Sequence, residues 1–185
     1  GDPQAVLAQI HALGFGLTLG IQTRIDGRAL RLAEAARIGN VYVNRNMIGA
    51  VVGVQPFGGH GLSGTGPKAG GPLYVLRLLA QRPAMSVAAG ELPGPVGERN
   101  TYGERPKGTI LCIARDAAEH AAQQAAAKAM GNRATDDPAA PGIAAALFAG
   151  SPEDLRALNQ RLAARDGAIV PVYVAPYPVE FLGAE

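Results

Sequence analysis

The residues best suited to bind a ligand lie in one glycine-rich segment, residues 44–72. The segment shows neither helical nor strand periodicity, and a stretch this long without regular structure is more often a functional loop than a connector. Glycine allows positive φ angles and a close approach of the backbone to a ligand. Successive backbone N–H groups in such a loop bind anions, so the pattern favours a carboxylate site that needs no charged side chain.

Within this segment, residues 64–68 (GTGPK) invite comparison with a phosphate-binding loop. A P-loop requires Gly-x4-Gly-Lys-Ser/Thr between a strand and a helix. Here Pro67 precedes Lys68 and no hydroxyl residue follows it, so no phosphate loop is predicted. Ser63 and Thr65 have no neighbouring base and no nucleophile-elbow pattern, and we interpret them as turn hydroxyls.

The remaining reactive side chains form no catalytic or metal-binding pattern. Cys112 is the only thiol and lies in the apolar run 109–114, so it is predicted to be buried and to behave as a small hydrophobic residue. His60 lies in the glycine-rich segment and is expected at the surface, and His11 and His120 are expected on the polar faces of helices. The three histidines lack metal-ligand spacing, so no metal site is predicted.

The elements before and after the glycine-rich segment are predicted from apolar spacing and from residues that end helices. Asp26 is expected to cap the second helix, because a carboxylate at that position accepts hydrogen bonds from the first turn. The predicted elements are a helix over 3–13, a strand over 17–23, a helix over 27–38, a strand over 41–43 and a compact apolar segment over 73–79.

The second half of the chain has a different organisation. Residues 83–106 are rich in proline and glycine and are predicted to be a linker arm between two units. Alternating strands and helices then predict a parallel sheet with crossover helices. The predicted elements are a strand over 109–114, a helix over 116–130, a loop over 132–142, a strand over 143–148, a helix over 151–167 capped by Ser151, and a strand over 168–174.

Composition limits the classes of function. Hydrophobic residues make up 48% of the 185 residues and charged residues 17%, which is enough apolar material for a core. The 17 basic and 15 acidic residues are interspersed, so no nucleic-acid-binding surface is predicted. A single cysteine favours the cytoplasm, and no signal peptide or membrane-spanning run is predicted. The first residue is Gly1 rather than Met, so we expect the chain to have been processed, cloned or cut from a longer polypeptide.

The glycine-rich segment also carries a specific resemblance. Residues 55–64 (QPFGGHGLSG) resemble the Pro-Phe-Gly-Gly-x-x-x-Ser-Gly signature near the end of aldehyde dehydrogenases, and residues 39–44 (GNVYVN) match the strand before it. Residues 44–53 (NRNMIGAVVG) and 65–72 (TGPKAGGP) narrow the resemblance to the L-glutamate γ-semialdehyde dehydrogenase module of bifunctional proline utilization A proteins. The similarity covers residues 1–82 almost continuously, and the rest resembles the C-terminal domain of long family members more loosely.

The resemblance implies an α/β fold, in which the end of an aldehyde dehydrogenase catalytic domain is followed by a smaller Rossmann-like α/β domain. The implied division is the dehydrogenase part at 1–82 with its aldehyde-anchor loop, the arm at 83–106 and the C-terminal domain at 107–185. The implied reaction is NAD-dependent oxidation of L-glutamate γ-semialdehyde to L-glutamate by a catalytic cysteine. A proline dehydrogenase module containing FAD, on the same polypeptide, would supply the aldehyde by substrate channelling.

Carried over residue by residue, the family's aldehyde-anchor loop falls on Gly49 and Ala50, whose backbone would hold the substrate α-carboxylate. Phe57 would pack against the aliphatic part of the substrate. The nucleophilic cysteine and the NAD-binding domain of the family have no counterpart here, so no catalytic, cofactor-binding or metal-binding residue is predicted in this segment. The resemblance leaves open a homo-oligomer and a peripheral membrane contact through the proline dehydrogenase module. Compared with long members, the stretches at 90–91 and 132–142 are shortened.

Two alternatives to an enzyme segment remain. The chain on its own would be a non-catalytic structural piece that completes an active site and covers a substrate tunnel. Alternatively, residues 107–185 would form a free-standing nucleotide-binding domain. That hypothesis requires a glycine-rich turn after the first strand, and the sequence Ala114-Arg115-Asp116 does not supply one.

Overall fold

The computed structural model describes residues 1–80, 83 and 88–185, which form two compact units. The described residues of the first unit are 1–80, 83, 88–103 and Glu185, and those of the second are 104–184. The predicted boundary after residue 82 lies outside the described residues. None of the helices in the described part of the chain is long and apolar enough to cross a membrane.

The first unit combines two helices with short strand pairs. Strands β2 and β3 pair in parallel, β1 pairs antiparallel with β4, and β5 forms an antiparallel hairpin with β6. Leu7, Ala36 and Ile38 form the buried cluster between the helices and the β2–β3 pair. The elements are α1 (Pro3–Ala12), β1 (Phe15–Gly16), β2 (Thr18–Ile21), α2 (Asp26–Ala36), β3 (Asn40–Val43), β4 (His60–Gly61), a 3₁₀ helix (Val75–Leu78), β5 (Gly90–Leu92) and β6 (Asn100–Tyr102).

Helix α2 differs from its prediction at both ends. Asp26 is the first helical residue rather than the cap, and the capping position belongs to Ile25, whose side chain makes no capping hydrogen bond. The helix ends at Ala36 rather than at residue 38, and the residue that follows it, Arg37, adopts a left-handed conformation with φ 51°. The early stop turns the chain so that Ile38 enters the core, where it is 5% exposed.

The second unit contains the predicted parallel sheet. Its strand order is β11-β10-β8-β9, and every neighbouring pair is parallel. Strands β7 and β12 form a separate antiparallel pair. The elements are β7 (Arg105–Pro106), β8 (Thr109–Ile113), α3 (Ala117–Ala129), β9 (Arg133–Thr135), β10 (Ile143–Phe148), α4 (Pro152–Ala163), β11 (Val172–Val174), a 3₁₀ helix (Val179–Leu182) and β12 (Gly183–Ala184).

Strand β8 is buried on both faces, as a central strand of a parallel sheet must be. Leu111 belongs to the apolar cluster that includes Leu158 and Leu162 of α4. Ile110 and Cys112 belong to the opposite cluster, which includes Ala127 of α3. The alternation of side chains along a strand therefore explains why this stretch is a continuous apolar run.

The structure corrects several boundaries in this unit. The predicted loop at 132–142 contains β9, which pairs with β8. Helix α4 ends at Ala163 rather than near residue 167, whereas the predicted Ser151 cap is confirmed, since its side chain accepts a 3.1 Å hydrogen bond from the Asp154 N–H. The strand predicted over 168–174 is limited to β11.

Candidate functional site

The anchor loop, defined here as residues 44–55, begins where β3 ends. Asn44 takes a left-handed conformation with φ 56°, which breaks the strand. Its side-chain oxygen accepts a 2.9 Å hydrogen bond from the Thr23 N–H beyond β2. The parallel β2–β3 pair and this bond fix the point from which the loop departs.

Between Ile48 and Val51, the hydrogen bonds of the anchor loop leave two backbone donors without a protein partner. The N–H of Ile48 donates to the side chain of Asn46 at 3.2 Å, and the N–H of Val51 donates to Gln55 Oε1 at 2.9 Å. Between them, in the part of the chain that the structure describes, the N–H groups of Gly49 and Ala50 donate to no protein acceptor. Backbone donors that lack a protein partner are available to an anionic ligand.

The conformation of the loop requires glycine at its tip. Gly49 has φ +72°, and a Cβ atom built there meets nothing within 4 Å. Glycine is therefore needed for backbone conformation and not for space at this position. The Gly49 carbonyl accepts a long 3.5 Å hydrogen bond from the Tyr42 hydroxyl, so the oxygen side of the residue is held by β3.

Phe57 follows the loop and is held by β3. It forms a bridge with Ala69, in which both backbone hydrogen bonds are 2.9 Å. Asn40, the first residue of β3, donates from Nδ2 to the Pro56 carbonyl at 2.9 Å and accepts from the Gly58 N–H at 3.2 Å. One amide side chain thus fixes the residues on both sides of Phe57, a role that residue types alone did not reveal.

The glycines after Phe57 serve close packing. A Cβ atom on Gly39 would lie 1.9 Å from the Gly58 carbonyl oxygen, and one on Gly59 would lie 2.6 Å from Ser63 Cβ. Ser63 itself accepts a 3.1 Å hydrogen bond from the Gly16 N–H, which agrees with its interpretation as a structural hydroxyl. These contacts join residues 58–63 to β1 and to the residue before β3.

Lys68 has a structural role in this packing. Its side chain is buried, packs against Gly58 and donates from Nζ to the Gly39 carbonyl. Its backbone N–H donates to Glu185 Oε2 at 2.5 Å, and Tyr102 donates from its hydroxyl to Glu185 Oε1 at 2.6 Å. A lysine held in this way does not present its charge to a phosphate, consistent with the rejection of a P-loop.

The guanidinium of Arg45, which lies within the anchor loop, already forms an ion pair. Arg45 pairs with Glu98 at 3.1 Å, and its guanidinium lies 5.0 Å from the centre of the Tyr42 ring. Burial raises the pKa of the Tyr42 hydroxyl, and the charge of Arg45 opposes part of that rise. With Arg45 neutralised by Glu98, the attraction of the loop for an anion rests mainly on backbone dipoles.

In the second unit, a cleft of about 290 Å³ opens at the carboxyl end of β8. Asp116 and Asp136 line it, and no glycine lies between β8 and α3. The Asp116 side chain already accepts from the Glu119 N–H at 2.9 Å, so a carboxylate occupies the N-terminus of α3 where a dinucleotide phosphate would bind. Neither this cleft nor the residues around Lys68 fit NAD.

Cys112 also lies at this end of β8. It is 1% exposed, and burial, with a smaller contribution from Asp136, raises the pKa of its thiol to about 11. A thiol that stays protonated is a poor nucleophile. The prediction that Cys112 is buried is therefore confirmed, and its lack of reactivity stays a prediction.

Comparisons with known proteins show which families and relatives the chain resembles. Residues 2–82 match the aldehyde dehydrogenase family model. The bifunctional protein PutA of Escherichia coli is 37% identical over 246 residues, which cover 90% of this chain and 19% of that protein. The 1-pyrroline-5-carboxylate dehydrogenase of Bacillus subtilis is 47% identical over 62 residues, which cover 34% of this chain and 12% of that protein. The chain thus spans about a fifth of the length of its PutA relatives.

A solved structure supports the fold over nearly the whole chain. Proline utilization A from Corynebacterium freiburgense superimposes with a TM-score of 0.71 at 22% identity, covering 98% of this chain and 23% of that one. The α/β fold class is therefore confirmed. The alignment with the Escherichia coli protein is longer than the chain itself, so that relative contains insertions with respect to this sequence.

Proposed function

We propose that this chain supplies a substrate-binding segment of an L-glutamate γ-semialdehyde dehydrogenase. The chain is similar to part of the bifunctional PutA proteins, and residues 2–82 match the aldehyde dehydrogenase family model. The observation that carries the proposal is the pair of N–H groups of Gly49 and Ala50, which have no protein acceptor in the described structure. They would bind the α-carboxylate of the substrate through charge-assisted hydrogen bonds.

The part of each residue follows from the geometry of the segment. The N–H groups of Gly49 and Ala50 would orient the carboxylate end of the aldehyde. Phe57, held by Asn40 and by its bridge to Ala69, would pack against the methylene groups. A short, flexible substrate that is held at both ends has already lost most of its conformational freedom. Its aldehyde carbon therefore reaches the reactive geometry at a smaller entropic cost.

The proposal places the remaining chemistry outside this chain. Neither the cleft at β8 nor the residues around Lys68 fit NAD, and Cys112 is a protonated, buried thiol. The nucleophile and the nicotinamide site would therefore come from other parts of a longer polypeptide. NAD would accept the hydride there, and a separate proline dehydrogenase module would use FAD. The relatives' name, "bifunctional protein", supports two activities on one polypeptide, for which we propose a cytoplasmic location.

The second unit is proposed to have a non-catalytic role. Its sheet has the topology of a nucleotide-binding domain, but its α3 N-terminus is occupied by Asp116, and a second carboxylate, Asp136, lines the same cleft. These features disfavour the free-standing nucleotide-binding hypothesis. We propose instead that this domain covers a substrate path, with residues 1–82, 83–106 and 107–185 as dehydrogenase part, arm and cover.

The proposal is tested by placing a negative charge at the carboxylate site. Ala50→Asp should reduce kcat/KM for L-glutamate γ-semialdehyde in the complete enzyme by roughly 30- to 1000-fold, corresponding to about 2–4 kcal/mol of lost bonds and added repulsion. The matched control is Ala50→Asn, which has nearly the same size and no charge. An aliphatic aldehyde without a carboxylate should lose much less activity with either variant.

The comparison of the two substrates decides the outcome. A larger loss for Ala50→Asp than for Ala50→Asn, confined to the aldehyde that carries a carboxylate, is the expected result. Equal losses for both aldehydes would mean that the loop supports the fold and does not recognise the carboxylate.

A further inference from the structure

The β5–β6 hairpin reaches the anchor loop through a chain of two amide side chains within the first unit. Gln55 accepts the Val51 N–H at Oε1, and its Nε2 donates to Asn100 Oδ1 at 2.9 Å. Asn100 is the first residue of β6, where it pairs with Leu92 across the hairpin. The connection spans 45 residues of sequence between Gln55 and Asn100.

The direction of both amides is determined by one backbone group. The Val51 N–H can only donate, so the atom of Gln55 that faces it must be the carbonyl oxygen. The Gln55 amide nitrogen then faces Asn100, which must offer its own oxygen in return. The Asn100 Nδ2 group is left buried, and it has no hydrogen-bond partner among the described residues.

The hairpin makes room for the Asn100 amide but leaves its nitrogen without a hydrogen bond. A Cβ atom on Gly94 would lie 2.2 Å from Asn100 Nδ2, so glycine at this position makes room for the amide. Leaving a buried donor unpaired is unfavourable. The orientation is therefore maintained by the two good bonds on the other side, to Gln55 and onward to Val51.

We propose that Asn100, acting through Gln55, is a positioning residue for the anchor loop. Gln55 closes the base of the loop by binding the Val51 N–H, the donor next to Ala50. With Val51 capped and Ile48 capped by Asn46, the loop presents only the N–H groups of Gly49 and Ala50 between them. Asn100 restricts the Gln55 side chain to the rotamer that makes this cap. The inference rests on the proposed carboxylate-binding function of the loop.

The test separates the acceptor at position 100 from the bulk of the side chain. Asn100→Leu removes the acceptor, whereas Asn100→Asp keeps an oxygen for Gln55 Nε2, replaces the amide group that has no partner and adds a negative charge. Thr101→Val, at the exposed neighbouring position of the same strand, is the control for a change on the hairpin surface. All variants are made in the complete enzyme, and KM and kcat are measured with L-glutamate γ-semialdehyde and with an aliphatic aldehyde.

Asn100→Leu should raise KM for L-glutamate γ-semialdehyde about five- to tenfold, the effect of losing one net hydrogen bond of positioning. The kcat/KM for the aliphatic aldehyde should stay within about twofold. Asn100→Asp should restore most of the loss, and Thr101→Val should show none of it. Gln55→Leu removes the cap directly and should reproduce the substrate-selective loss, which keeps the test decisive if Asn100→Leu folds poorly.

Two other results would overturn the inference. Asn100→Leu and Asn100→Asp would behave alike if the amide had no directional role, and both aldehydes would lose activity equally if the hairpin only stabilised the fold. The proposed function is tested by a different result. It would be wrong if the unmodified enzyme showed no preference for the aldehyde that carries a carboxylate. An unmodified enzyme with that preference, and an Asn100→Leu variant that retains it, would reject the positioning role alone.

Discussion

Gly39→Ala offers a test of the packing that supports Phe57. Gly39 is not among the residues with positive φ, so alanine is compatible with the backbone conformation and the effect is steric. The new Cβ atom would lie 1.9 Å from the Gly58 carbonyl oxygen and 2.9 Å from Gly59 Cα. Ordinary contact is about 3.5 Å, so the Gly58–Gly59 backbone has to move by roughly 1.5 Å.

The magnitude follows from what such a movement disrupts. Overpacking alone is unfavourable by about 1–3 kcal/mol. A shift of this size also breaks the 3.2 Å bond from the Gly58 N–H to Asn40, worth about 1 kcal/mol. We therefore expect Gly39→Ala to reduce the free energy of unfolding by about 2–4 kcal/mol and to raise KM for the aldehyde, because Phe57 loses one side of its support.

The assay is denaturant unfolding of the complete enzyme, combined with steady-state kinetics. The matched control is Gly20→Ala on β2, where the new Cβ atom meets only the flexible end of Met47, at 3.4 Å from Sδ. Gly20→Ala should change the free energy of unfolding by less than about 1 kcal/mol. A Gly39→Ala variant as stable as Gly20→Ala would show that the contact between Gly39 and Gly58 is looser than described and would refute the reasoning.

Three further predictions concern the second unit. Cys112→Ser should leave aldehyde oxidation within about threefold of the parent enzyme, because the thiol is buried in the core of the sheet, and complete loss of activity in a folded variant would contradict this. Its raised pKa means that the unfolded chain releases the thiol proton before the folded chain does, so the stability of the parent should fall as pH rises from about 9 to 11, and Cys112→Ala should reduce that slope in pH-dependent unfolding. Ser151→Ala should destabilise α4 by about 0.5–2 kcal/mol, measured by thermal unfolding, whereas Ser151→Asp should retain most of the stability because it keeps an acceptor for the Asp154 N–H.

The second unit could be predicted because its information is local. The apolar runs of β8 and β10, the alanine-rich α3 and the Ser151 cap each indicate one element from adjacent residues. Of the elements that were missed, β9 has only three residues and acquires strand geometry by pairing with β8. Short strands of this kind depend on a partner that is distant in sequence, so periodicity does not reveal them.

The candidate site was predictable only in outline. The glycine content indicated a loop that binds an anion, and the resemblance assigned Gly49, Ala50 and Phe57, whose roles remain predictions. The side chains that hold this segment in place were not predicted, because each contacts a group far along the chain. Glu185 and Lys68 are 117 residues apart, and Asn40 and Gly58 are 18 residues apart. Asparagine, glutamine and glutamate at such positions look like ordinary surface residues until the fold brings their partners together.

These long-range bonds divide the work of the site between loop and frame. The groups proposed to touch the substrate are two backbone N–H groups and one ring, which have little conformational freedom of their own. Asn40 holds the ring from β3, and Gln55 holds the base of the loop. Because the bonds of the frame are to backbone atoms, a substitution in the frame moves the loop without removing any group that binds the substrate. Variants of Gln55 should therefore alter the discrimination between aldehydes more than the rate for an aldehyde that does not use the carboxylate site, and this selectivity separates positioning from general destabilisation.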